Sequence, residues 1–147
     1  MQTAEARLKR IFVVRLEEGE RLPDAIELLA RKKKIRSAVV LLLGGARDGT
    51  LVVGPSSSRR KKHSVLTESF GPGHEIMGIG TIFAGAKGPE MHLHAATGRG
   101  NKTLVGCGRT GLKVNFIIEA VIFELAGLAA RRAFDPATGF HLLTLSR

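Results

Sequence analysis

The chain of 147 residues contains no tryptophan and no tyrosine, and its seven phenylalanines are few. A row of aromatic rings on which successive bases of a single strand stack therefore has little support. Cys107 is the single cysteine, which excludes an internal disulfide and fits a reducing cytoplasm. No apolar run approaches the ~18 residues that a membrane helix needs. The longest, around Val39–Leu43 and Ile117–Ile122, are strand-sized. The stretch Met1–Arg7 lacks the apolar core of a signal peptide, so the expectation is a cytoplasmic protein with no membrane association. Acidic residues are also short: 13 Asp and Glu stand against 23 Lys and Arg, a formal net charge of +10. Such a surface attracts polyanions and suits DNA as a partner, although charge is an argument about association and not about fold.

What is present is an ordinary globular composition, 44% hydrophobic, in a length that makes one domain with a real core. Residues 1–9 read as a flexible lead-in, and 10–147 as the domain. Arg10–Leu16 is β-branched and aromatic, a strand. Leu22-Pro23-Asp24 opens a helix, with Leu22, Ile26, Leu29 and Ala30 at helical spacing, and the basic Arg31–Lys34 closes it, opposing the helix dipole. Ser37–Gly44 is continuously apolar, which predicts a strand covered on both faces. Gly44-Gly45 marks a bulge or bend, and Leu51–Gly54 is a further short strand. Ser64–Phe70, His74–Ala84 and Lys113–Glu124 read as strands, Ala126–Phe134 as a helical turn, and Phe140–Leu145 as a closing strand. The sum is an α+β fold, a mostly antiparallel sheet with one principal flanking helix in a compact single domain.

Two stretches carry chemistry. Pro55–His63 is a polar loop whose Arg59, Arg60, Lys61 and Lys62 are candidates for contacting nucleic-acid phosphates; the plainer reading of such a run is a solvated loop. The second stretch is His92-Leu93-His94 followed by Cys107. Residues two apart on a strand share a face, roughly 6–7 Å apart. A turn over Gly98–Asn101 predicts a hairpin in which Thr97 faces Lys102 and His92 faces Cys107, placing His92, His94 and Cys107 on one patch. Two imidazoles and a thiolate suit zinc and leave a fourth position open, the pattern of a catalytic site. The plainer readings are half-exposed strand histidines and a small buried thiol. Glu75, Glu119 and Arg99 are the candidates for acid–base or electrostatic roles beside an ion.

The order of these elements resembles the PPC domain (plants and prokaryotes conserved), which stands alone in bacteria and archaea and is fused to AT-hook motifs in plants. The matching residues are Arg15–Glu20 before the helix, Ala38–Ala46 as the second strand, Glu75-Ile76 with Gly78 and Gly80, and His92–Ala95 followed by Val105–Cys107. The resemblance spans Arg10 to Leu145. It implies a homotrimer and, in some prokaryotic members, a metal site on the His-x-His strand. The family's usual third ligand is a histidine after a Gly-Gly pair; here that position is Cys107. The fold is also similar to that of α-acetolactate decarboxylase, whose zinc sits on three histidines including a His-x-His pair.

Two functions follow as expectations. One is a DNA-associated or regulatory binding module with a zinc site at His92, His94 and Cys107. The alternative is a zinc-dependent small-molecule lyase or hydrolase. No helix-turn-helix, zinc-finger spacing or AT-hook is present, so sequence-specific reading has no visible instrument.

Overall fold

The computed structural model describes residues 1–56, 64–108 and 111–145. Its architecture turns on one long strand. Ser-Ala-Val-Val-Leu-Leu-Leu begins it, and the chain continues through two glycines without leaving the sheet, giving β3 (Ser37–Pro55). β1 (Arg7–Glu17), β2 (Arg21–Leu22) and helix α1 (Asp24–Lys33) precede it. β4 (Val65–Phe70), β5 (His74–Gly85), β6 (Gly88–Arg99), β7 (Lys102–Cys107) and β8 (Leu112–Ala126) follow, and then the hairpin of β9 (Ala130–Asp135) and β10 (Phe140–Leu145).

The first half of β3 is sandwiched between β5 and β8, both antiparallel to it. Its second half pairs with β4 and meets β7 at Val52 and Cys107. The β5–β6 and β6–β7 hairpins complete the circuit, so β3, β5, β6 and β7 pair in a ring. β1 extends the sheet beyond β8, and β9 joins the edge of β5 as a parallel neighbour at Ala84 and Arg131. The register against β8 shifts after Gly44 and again after Ala46, and on the other side of β3 the partner changes from β5, which ends at Ala46, to β4, which begins at Gly49. A Cβ at Gly44 would lie 2.4 Å from the Ile117 carbonyl oxygen, and one at Gly45 2.4 Å from that of Asn115. Only glycine permits that approach, the reason a glycine pair marks a bulge.

The helix covers one side of the sheet. Asp24 and Glu27 lie in its first turn and Arg31, Lys32 and Lys33 in its last, each sign opposing the helix dipole. Leu22, Ile26 and Ala30 are fully buried and join Val40, Leu93, Ile118 and Ile122 in the core. Burial of each of these leucine, isoleucine and valine side chains contributes about 1.5–3 kcal/mol before chain entropy is subtracted. Glu27 ties the helix to β6, its carboxylate accepting the Met91 N–H at 2.8 Å.

Several expectations are corrected here. The sheet dominates the fold more than an α+β label conveys: among the described residues ten strands stand against one ten-residue helix. β1 starts at Arg7 and not at Arg10. The strands read at Ser37–Gly44 and Leu51–Gly54 are one. β3 is not covered on both faces, since Leu41 and Leu43 are 43% and 58% exposed while Val40 and Leu42 are buried. The helical turn expected over Ala126–Phe134 is largely strand β9. Its Ala-Arg-Arg-Ala composition favours a helix locally, but ladder bonds to β10 and the open edge of β5 decide otherwise.

Candidate metal centre

His92 and His94 stand on β6, separated by the buried Leu93. The alternation that sends Met91, Leu93 and Ala95 into the core sends both imidazoles to the opposite face. Their rings meet edge to face, with centroids 4.9 Å apart. The turn to β7 occupies Gly100-Asn101, so Arg99 pairs with Lys102 and His94 lies directly opposite Cys107. The expected hairpin had Thr97 opposite Lys102 and His92 opposite Cys107; Thr97 pairs instead with Leu104. The slip amounts to two residues, one full strand period, and the face is therefore conserved.

Cys107 is pinned from two sides. It pairs with His94 on β6 and with Val52 on β3, and the next residue donates its N–H to the Leu93 carbonyl at 2.9 Å. The preceding Gly106 admits no side chain, because a Cβ there would lie 2.5 Å from the Val52 carbonyl oxygen. As a result, one nitrogen from each imidazole and the Cys107 Sγ all lie within 4.8 Å of one another. A tetrahedral zinc with bonds of ~2.0–2.3 Å would hold such donors roughly 3.5 Å apart, within reach of small side-chain rotations. Cys107 is 4% exposed, His92 is half-buried and His94 exposed, so the cluster has a closed floor and an open mouth. The donor set fits zinc: two borderline nitrogens and one soft sulfur, with a position to spare.

The mouth opens into a cleft of about 650 Å³ between β6–β7 and the C-terminal hairpin. From that hairpin come Arg132, Phe140, His141 and Leu142. Arg132 is 8% exposed. One of its Nη groups donates to Thr81 Oγ1 at 2.8 Å, and Thr81 is the cross-strand partner of His92. The guanidinium also lies 5.8 Å from the Phe83 ring centre, within the range of a cation–π contact. None of these residues stood out in the sequence. The signal available was alternation, Arg131 outward and Arg132 inward, legible once the segment is taken as a strand.

The acid–base candidates sit elsewhere. Glu75 pairs with Gly98 and Gly45, four residues along the hairpin from His94 and so roughly 13 Å away. Glu119 lies between Arg15 and Leu43. Arg99 donates to the Pro72 carbonyl. None of the three lines the cleft at the cluster. Arg59, Arg60, Lys61 and Lys62 lie outside the described residues.

No curated protein matches the chain. Among solved structures, a metal-containing protein from Archaeoglobus fulgidus is 26% identical, with a TM-score of 0.85 over 98% of this chain and 99% of that one. A plant- and prokaryote-conserved (PPC) protein from Pyrococcus horikoshii is 23% identical, with a TM-score of 0.84 over 100% of this chain and 99% of that one. A candidate DNA-binding protein from Bacteroides thetaiotaomicron is 20% identical, with a TM-score of 0.81 over 97% and 99%. The last two, below a quarter identical, speak to the fold alone. The sequence pattern of the Plants and Prokaryotes Conserved (PCC) domain matches residues 3–126, which takes in the whole His-x-His…Cys hairpin and stops short of β9 and β10. The chain belongs to the Plants and Prokaryotes Conserved (PCC) domain family.

Proposed function

We propose that the protein is a nucleic-acid-associated regulatory module that works as a homotrimer in the cytoplasm and holds a zinc ion at His92, His94 and Cys107. The observation that carries the nucleic-acid part is a concentration of cations at one end of the sheet. Lys34, Arg36 and Arg131, with Lys9, surround a cleft of about 750 Å³. The last helical turn adds Arg31, Lys32 and Lys33 beside it. Among the described residues lining this cleft Glu124 is the one carboxylate, and it is already engaged by Lys9 and Arg10. Fixed phosphate charges are the natural counterpart of such a surface. Arg59, Arg60, Lys61 and Lys62 belong to the same proposal as further phosphate contacts. The similarity to a metal-containing protein supports the ion. Among the described residues no helix is long and apolar enough to cross a membrane.

Binding of a labelled DNA duplex, followed by anisotropy across salt concentrations, tests the reading. The affinity falls with salt, with a log–log slope of about −0.9 per phosphate contacted. Arg36→Gln with Arg131→Gln makes the slope shallower by about 2 and weakens all sequences alike. Absence of binding at low salt contradicts the proposal.

A second reading has its own observation. Three protein ligands leave an ion with an open position, and a cleft of about 650 Å³ faces it. That arrangement suits a zinc-dependent lyase or hydrolase acting on a small molecule. His141 is the titratable side chain on the cleft's far wall; the acids the reaction would want, Glu75 and Glu119, do not face it.

A further inference from the structure

The cleft beside the metal cluster has a chemical character of its own. Its polar lining is His92, His94, Cys107, Arg132 and His141, and no carboxylate is among the described residues that line it. Glu27 and Glu90 line an adjoining, smaller cleft of about 380 Å³ that shares His92, Arg132, Phe140 and His141 with it. There Glu27 accepts the Met91 N–H, and a Glu90 oxygen lies 3.8 Å from the His141 Nδ1. The remaining walls are apolar: Val52, Val53 and Val65 on one side, Phe140, Leu142 and Leu143 on the other.

A divalent ion partly neutralised by one thiolate leaves a net positive centre, and the arginine adds a second. Arg132 is a fixed cation rather than a solvated one. It is 8% exposed, anchored to Thr81 Oγ1 at 2.8 Å, and Thr81 is the cross-strand neighbour of His92. A guanidinium presents five donors in a planar fork matched to two oxygens, so it can hold Thr81 and a carboxylate together. A buried cation facing an apolar wall selects a ligand with charge at one end and hydrocarbon at the other.

We propose that this cleft binds a small aliphatic carboxylate, its charged end shared between the ion at His92, His94 and Cys107 and the guanidinium of Arg132, its hydrocarbon chain against Phe140, Leu142 and Leu143. The inference rests on the metal reading of the cluster and gives the regulatory module a ligand to sense. Arg132 is then a ligand-binding residue supplied by the C-terminal hairpin, whose sequence lies beyond the matched family pattern.

Calorimetry on zinc-loaded protein tests it, with hexanoate, 1-hexanol and inorganic phosphate as probes and zinc per chain measured on each sample. Hexanoate binds the wild type, 1-hexanol does not, and phosphate binds more weakly because it forfeits the apolar wall. Arg132→Gln retains one zinc per chain and weakens hexanoate about 10–100-fold, the loss of a charge-assisted pair. Leu142→Glu, a change at a surface strand position 42% exposed, places a rival carboxylate at the wall and also abolishes binding. It keeps the test open if Arg132→Gln fails to fold. Failure to take up zinc overturns the metal reading. One zinc per chain with no hexanoate binding, with hexanoate bound equally by both variants, or with phosphate preferred overturns the carboxylate site alone.

Discussion

Glu124 is 4% exposed at its side chain, with the Lys9 ammonium at 3.1 Å and the Arg10 guanidinium against its second oxygen. Hydrogen bonding from Arg10, first among the causes, holds the Glu124 carboxyl below the ordinary carboxylate range; burial works the other way and is outweighed. The same bond raises Arg10 above its ordinary value. A carboxylate with a depressed folded-state pKa binds fewer protons folded than unfolded at mildly acid pH, so its stabilisation is complete above the ordinary carboxylate range and is lost as pH falls through the lower folded value. Glu124→Gln is expected to cost about 1 kcal/mol at neutral pH, a figure held down by solvent around both cations. Thermal melts of both proteins check it. The gap closes as the pH drops below the carboxylate range; a gap that widens there contradicts the assignment. At this scale the clustering of His92, His94 and Cys107 was readable because His-x-His needs only the strand period, whereas Arg132 was not, because its side chain is defined by what β9 packs against.

At the scale of elements, the hairpin of β6 and β7 shows how a wrong turn can leave a right face. The turn was read across all four residues Gly98–Asn101, and the tighter turn at Gly100-Asn101 prevails, extending the ladder to Arg99 and Lys102. The displacement is an even number of residues, so the three ligand-type side chains stay together while their direct pairing moves from His92 to His94. β3 was legible as apolar and as broken by glycine, but its continuity was not. A bulge and a strand end have the same local signature, and the difference lies in partners far along the chain, β8 on one side and β4 on the other. β9 was misread for the same reason: helix propensity is local, while the open edge of β5 that recruits the strand lies some fifty residues away.

At the scale of the whole molecule, α1 covers one face of the sheet, and the other face carries a group of exposed apolar side chains. Leu41, Leu43, Met77 and Ile79 form a contiguous square on neighbouring strands, Leu41 beside Ile79 and Leu43 beside Met77, with Met77 and Ile79 66% and 64% exposed. Val105 and Val13 extend it at 62% and 83%. A patch of this kind marks an interaction surface, and in the proposed homotrimer it is where the copies meet. Light scattering is expected to give the mass of three chains, and Ile79→Lys to lower it without unfolding the protein. A wild-type monomer at micromolar concentration contradicts the assembly. The continuous apolar run in β3 was read as burial within the chain, yet Leu41 and Leu43 stand exposed on it, because which face of a strand is covered depends on what packs over the sheet and not on the strand's own sequence.

Cobalt titration of the metal-free protein tests most directly whether His92, His94 and Cys107 form one metal seat. Cobalt reports thiolate ligation by a sulfur-to-metal charge-transfer band and low coordination number by intense visible bands. The expected result is saturation at one ion per chain with both features present, loss of the charge-transfer band in Cys107→Ser, weakened uptake in His92→Ala and His94→Ala, and release at acid pH as the ligands are protonated. A spectrum that stays that of the hydrated ion, or a charge-transfer band that survives in Cys107→Ser, would contradict it.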